Sequence, residues 1–133
     1  MAERYQQTNP SDYRGYYYLA AAREHEEEQR PVAEALLRKA IGLNPDFAAS
    51  HTLLGKLLVR DDRASEAVLD LERAVQLRPG YQPAHLYLGN AYRKLGRRAD
   101  ADREFQKLRE LNDKEGAEPR LRYHRGSTTN SPQ

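Results

Sequence analysis

His51 and His85 share one sequence context: each is followed three and four positions later by Leu-Gly. Paired histidines invite a metal reading, but no cysteine, His-x3-His or HExxH pattern accompanies them. Packing or capping is the expected role, and no metal is expected. The stretch EHEEEQR, residues 24–30, gathers four glutamates between two apolar patterns. It reads as a solvated turn rather than as paired catalytic carboxylates. RLRYHRG places Arg120, Arg122 and Arg125 around a tyrosine, a grouping that can meet phosphate. Three arginines in a polar tail are a weak signal. No Ser/His/Asp arrangement, phosphate-binding loop or GxGxxG motif occurs, so neither an enzyme nor a cofactor is expected.

Composition narrows the classes further. The chain has 133 residues, 38% hydrophobic and 32% charged, with a net charge of +2. That is polar for a compact globule and normal for an elongated helical protein whose helices stay partly wet. The small positive excess sits in the C-terminal third and does not by itself indicate nucleic acid. No run of 18 apolar residues exists, and the first residues, MAERYQQTNPSDY, contain no apolar signal core. A cytoplasmic chain without membrane contact is the default expectation.

The elements that position these residues follow from a 34-residue period. His51 and His85, Pro45 and Pro79, Gly55 and Gly89, and Leu54 and Leu88 repeat at that spacing. So do the triples Ala33, Ala67, Ala101; Leu37, Leu71, Phe105; and Leu43, Leu77, Leu111. Apolar residues at i, i+3, i+4 and i+7 run through Leu54, Leu57 and Leu58, and then through Ala67, Leu71, Ala74 and Val75. These stripes predict two helices per unit. The prolines just past the second stripe are stop signals, and no alternating β-branched run suggests a strand. Gly55 and Gly89, costly inside a helix, are expected to face the partner helix of their own unit, with Ala67 and Ala101 small on the other side.

This pattern resembles the tetratricopeptide repeat, whose unit carries large-x2-Leu-Gly-x2-Tyr in its first helix and Ala, Phe, Ala and Pro in its second. His85, Leu88, Gly89, Tyr92, Ala101 and Phe105 match in the third unit, with Gly96 in the turn. His51, Leu54, Gly55, Leu58, Ala67, Leu71, Ala74 and Pro79 match in the second. The first is weaker, with Tyr17, Ala20, Ala21, Ala33, Leu37, Ala40 and Pro45, and with Glu24 where the tyrosine is expected. The resemblance implies an all-α fold: three helix-turn-helix units, six helices, in a right-handed solenoid. The expected bounds are a lead-in or remnant of an earlier helix at 1–11, a repeat domain at 12–115 with units near 14–47, 48–81 and 82–115, and a polar tail at 116–133.

The family's first helices line a concave groove. Its offsets imply groove positions at Tyr18, Leu19 and Ala22; at Thr52, Leu53, Lys56, Val59 and Arg60; and at Leu86, Tyr87, Asn90, Arg93 and Lys94. Lys56, Arg60, Arg93 and Lys94 would form a basic strip beside apolar anchors, suited to a peptide or partner protein with an acidic flank. The family's carboxylate clamp for chaperone C-termini would fall on Tyr18, Ala22, Leu53, Pro83 and Tyr87, which cannot hold a carboxylate by charge. A scaffold for protein–protein interaction, not a clamp-type adaptor, is therefore the leading expectation. The alternatives are a structural protein that self-associates through its repeat ends and the tyrosines Tyr5, Tyr13 and Tyr16–Tyr18, and an RNA-contacting accessory domain.

The ends carry their own signals. Glu34, Val68 and Asp102 occupy one repeated position, and Ile41, Val75 and Arg109 another. The charges in the last unit read as a terminal cap. The tail is polar, with Leu121 and Tyr123 as candidates to fold back on the last helix.

Overall fold

The computed structural model describes residues 12–116. Six α-helices follow in order: α1 (Tyr13–Arg23), α2 (Arg30–Leu43), α3 (Ala48–Arg60), α4 (Ala64–Leu77), α5 (Gln82–Lys94) and α6 (Arg98–Gly116). A 3-10 turn, Glu27–Gln29, joins α1 to α2. The second helices begin at Arg30, Ala64 and Arg98, each one full period after the last. Contacts are densest within the pairs α1–α2, α3–α4 and α5–α6, and continue between neighbouring pairs, including α3 with α5. The architecture is an all-α solenoid of three antiparallel helix pairs. Among the described residues no helix is long and apolar enough to cross a membrane. The lead-in before residue 12, with Tyr5, and the tail, with Leu121, Tyr123 and the three arginines, lie outside the described residues.

Local chemistry sets the helix ends. Asp12 caps α1 by accepting from the Arg14 backbone N–H at 2.9 Å. Pro31 and Pro83 sit in the first turns of α2 and α5, where a missing N–H costs nothing. The N–H groups of Asn44 and Arg78 close the ends of α2 and α4 on Ala40 and Ala74 at 2.9 Å, and Pro45 and Pro79 prevent continuation. The turns after α3 and α5 are the same structure. Arg63 N–H donates to Leu58 O at 2.8 Å and Arg97 N–H to Tyr92 O at 2.9 Å. Each turn has one left-handed residue, Asp62 (φ 61°) and Gly96 (φ 77°), again one period apart.

The core runs along the solenoid axis. Leu37, Leu54, Leu57, Leu58, Leu71 and Leu88 are fully buried, with Ala20, Ala33, Ala67, Ala91 and Ala101 between them. α3 is buried on nearly all sides, from Ala48 to Leu58 apart from Lys56, because units lie on both sides of it. The glycines permit the helix pairing. A Cβ on Gly55 would lie 2.4 Å from Leu71 Cγ, and one on Gly89 would lie 2.5 Å from Phe105 Cε1. Each glycine thus makes room for the large residue of the facing second helix, four positions after the buried Ala67 or Ala101.

The junctions between units are polar where they reach the surface. Arg63, just before α4, bridges Glu34 of α2 at 2.8 Å and Glu66 in the first turn of α4 at 2.8 Å, and the Arg63 guanidinium holds the Glu34 carboxyl below its ordinary range. Arg30 pairs with Asp61 at 3.1 Å. Tyr92 donates to Glu72 Oε2 at 2.6 Å; burial and that carboxylate push the phenol well above its usual range.

Candidate functional site

The two histidines are structural bridges. Both are buried. His51 Nε2 lies 2.7 Å from Pro45 O and Nδ1 lies 3.2 Å from Asp70 Oδ1. His85 Nε2 lies 2.6 Å from Pro79 O and Nδ1 lies 2.8 Å from Glu104 Oε1. Each ring ties the carbonyl that ends the previous unit to a carboxylate on the second helix of its own unit. Burial disfavours charge on His51, but the hydrogen bonds to Asp70 and Pro45 and the Asp70 charge outweigh it, so the group titrates above its ordinary 6.5. Among the described residues no cluster of His, Cys, Asp or Glu is arranged to hold a metal.

The first helices α1, α3 and α5 share one side of the stack. There a cavity of about 170 Å3 is bounded by Tyr17, Glu24, Ala49, Thr52, Leu53, Lys56, Tyr81, Pro83 and Tyr87. Of the positions expected in the groove, Thr52, Leu53, Lys56 and Tyr87 meet here. Leu19 is buried, and the half-buried Val59 packs on the core. Tyr18 is 55% exposed and does not line the cavity. Tyr17 lines it instead, its ring edge-on to Phe47 at 5.4 Å, and burial pushes its phenol up. Leu86 lies outside this cavity, in a separate recess with Tyr87. Ala22, Arg60, Arg93 and Lys94 are exposed and Asn90 half-buried. Tyr16 is half-buried beneath the Lys39 ammonium, 5.8 Å from the ring centroid.

The cations expected to form a basic strip are largely matched within the chain. Lys56 Nζ lies 2.8 Å from Glu24 Oε1, a Coulombic contact off the direction of a hydrogen bond, and Arg60 lies 3.6 Å from the same oxygen. Arg60 also donates to Glu24 O at 3.2 Å. Lys94 pairs with Asp62 at 3.2 Å. Arg93 alone of the four has no carboxylate among the described residues; it reaches Asn90 Oδ1 at 3.1 Å and lies over the Phe105 ring. Glu24 is therefore not a solvated turn residue. α1 ends at Arg23, so Glu24 leaves the core position that Leu58 and Tyr92 hold in the later units and turns toward α3.

Tyr81 and Glu24 are the site residues hardest to foresee from groove offsets. Tyr81 repeats Phe47 one period on, just before a first helix, and that repeated aromatic is the available signal. For Glu24 the signal is an acid at a core position, which cannot stay there uncompensated.

Comparison with known proteins fits this geometry. The family model for the tetratricopeptide repeat matches residues 58–121. No curated protein matches the chain. A crystal structure of MamA is similar over 88% of this chain and 68% of its own, at 25% identity and a TM-score of 0.78. A second MamA structure, from AMB-1, covers 84% of this chain and 66% of its own, at 26% identity and a TM-score of 0.72. The second repeat domain of Spaghetti (RPAP3), bound to the HSP90 peptide SRMEEVD, matches 79% of this chain and 96% of its own at 19% identity, with a TM-score of 0.73. The chain thus spans about two thirds of the MamA chains. Residues 58–121 belong to the tetratricopeptide-repeat family, and the described chain as a whole carries that family's fold.

Proposed function

We propose that this chain is a protein-interaction scaffold that takes an extended partner segment along α1, α3 and α5. The observation that carries the reading is the cavity walled by Tyr17, Tyr81, Pro83 and Tyr87 over Leu53. Tyrosines supply large contact area at little entropic cost and keep a polar edge for hydrogen bonding. Its volume suits one apolar or proline side chain rather than a small-molecule cofactor. The Lys56 ammonium, paired with Glu24 and 5.5 Å from the Tyr87 ring centroid, forms a charged but internally balanced edge.

The partner's acidic flank narrows accordingly to the Arg93 end of the groove. A clamp-type chaperone adaptor is disfavoured, because the clamp positions hold Tyr18, Ala22, Leu53, Pro83 and Tyr87, none of them charged. Peptides selected from a random displayed library against the full chain test this. Selected sequences should carry an apolar or proline anchor and shift the amide resonances of Leu53, Lys56 and Tyr87. Tyr87→Ala should weaken them at least tenfold. Selected peptides that bind the outer faces of α2, α4 and α6 and ignore Tyr87→Ala would overturn the reading.

A further inference from the structure

A second apolar recess lies at the end of the array. Pro83, Leu86, Tyr87 and Leu108, with Gln82 and Asn112, line an open recess of about 370 Å3 between the start of α5 and the C-terminal half of α6. The repeat shows what such a surface does in the other units. The residues one unit earlier include Ala48, Ala49, Thr52, Leu53 and Ala74, all buried. They are covered by α5, whose Ala84 packs on Ala48 and Ala74 with Tyr81 alongside. One unit earlier again, Gly15, Leu19 and Ala40 are buried, and Phe47 at the start of α3 packs on Tyr13 at 5.0 Å. Twice, then, this surface receives a helix that begins with an aromatic residue (Phe47, Tyr81) and has a small one three positions on (Ser50, Ala84). In the last unit no described helix covers it. Leu108 is only half-buried, where Ala40 and Ala74 at the same position are fully buried, and Leu86 beside it is 37% exposed.

Charge selects among occupants. Arg109 takes the place of Val75, which packs beside Tyr81 and Ala84 one unit earlier. It is exposed, bonds only the Gln106 side chain, and has no carboxylate partner among the described residues. An incoming helix would place its first turn there, where its own dipole also favours an acid. We infer that the recess docks an amphipathic helix of another protein, with an aromatic residue at its start, an acid in its first turn and a small residue three positions after the aromatic. The chain's own segments fit poorly. α1 of a second copy has no acid in its first turn and carries Tyr16 where the small residue belongs. The C-terminal segment carries Arg120, Arg122 and Arg125, the wrong charge for a partner of Arg109.

The test uses the full chain and a labelled synthetic peptide with the sequence of residues Tyr81–Leu95 carrying Gln82→Glu, read by fluorescence anisotropy. Binding should be saturable and at least tenfold weaker in Leu108→Glu. Leu86→Glu, at an already exposed position, should do the same without lowering the melting temperature. Arg109→Glu should weaken binding about fivefold and reverse the preference toward a Gln82→Arg peptide. Arg60→Glu, outside the recess, should leave it unchanged. No saturable binding, or binding undiminished in both Leu variants, overturns the proposal. So does a concentration-dependent dimer abolished by Leu108→Glu, which assigns the recess to a second copy. A shift of the Leu121 and Tyr123 resonances in peptide-free Leu108→Glu also overturns it, assigning the recess to the chain's own tail.

Discussion

Units 2 and 3 join their helices with the same devices, and unit 1 does not. In the later units a histidine ties a proline carbonyl to a carboxylate, a glycine admits a large side chain from the second helix, and a left-handed residue closes the turn. Unit 1 has Tyr17 packed on Phe47 in place of the histidine, Ala21 in place of the glycine, and a 3-10 turn in place of the left-handed one. The helix pair of unit 1 is nevertheless formed like the others. The pairing therefore depends on the apolar stripes, and the histidine, glycine and turn residues refine it. What unit 1 gains is Glu24, released from the core to pair with Lys56 beside the cavity between the first helices.

The largest expected effect is at the glycines. Gly89→Leu should destabilise the fold by about 3 kcal/mol, because its first side-chain carbon already meets the Phe105 ring and a full leucine overpacks the pair. Gly42 of unit 1 is also helical, and a Cβ there would meet nothing within 4 Å. Gly42→Ala should stabilise by about 0.5 kcal/mol through backbone entropy and helix propensity. Urea unfolding measures both. If the two changes act alike, the glycines of units 1 and 3 do not differ in kind, and the packing account fails.

The histidine bridge comes next. His51→Tyr writes the unit 1 residue into unit 2. It removes the partners of Asp70 and of the Pro45 carbonyl, and should cost about 1–3 kcal/mol. The bridge also has a sign in pH. Both groups facing His51 are acceptors, so a ring protonated on both nitrogens satisfies both. Its pKa is raised in the folded state, so its contribution is complete below the unfolded value of about 6.5 and is lost as pH rises through the folded one. Melting temperatures between pH 5.5 and 9 should show this fall in the native chain and a smaller one in His51→Tyr. Parallel curves would remove His51 as its source.

How much of this was legible in the sequence differs by level. The helices and their pairing follow from period and stripe, and Gly55, Gly89, Ala67 and Ala101 are small where the structure needs space. The histidines were legible as packing or capping residues. Their carboxylate partners were not, because Asp70 and Glu104 lie on another helix and look like ordinary surface acids. The sequence names the cations Lys56, Arg60 and Lys94, but their pairing with Glu24 and Asp62 depends on where α1 stops and on how the turn after α3 is wound. Periodicity reports which face a residue is on. It does not report which neighbour on the next element it meets.

The smallest effect concerns the turns, and it closes the comparison. Asp62 and Gly96 occupy the same left-handed position in successive units. A residue with a Cβ pays about 1 kcal/mol or more for that conformation, less for aspartate than for most. Asp62 recovers part of this through the exposed ion pair with Lys94 at 3.2 Å, and such pairs contribute only a few tenths of a kcal/mol. The conformational cost is the larger quantity. Asp62→Gly should therefore stabilise the chain, by about 0.5 kcal/mol, even though it deletes a charge pair. Gly96→Asp should destabilise it by about 1 kcal/mol. Melting at low and high salt separates the contributions: screening removes the Lys94 pair, so the gain from Asp62→Gly should grow as salt is added. A gain that shrinks with salt would mean the Asp62–Lys94 pair outweighs the backbone conformation, and the two turns would then be alike in shape but held by different forces.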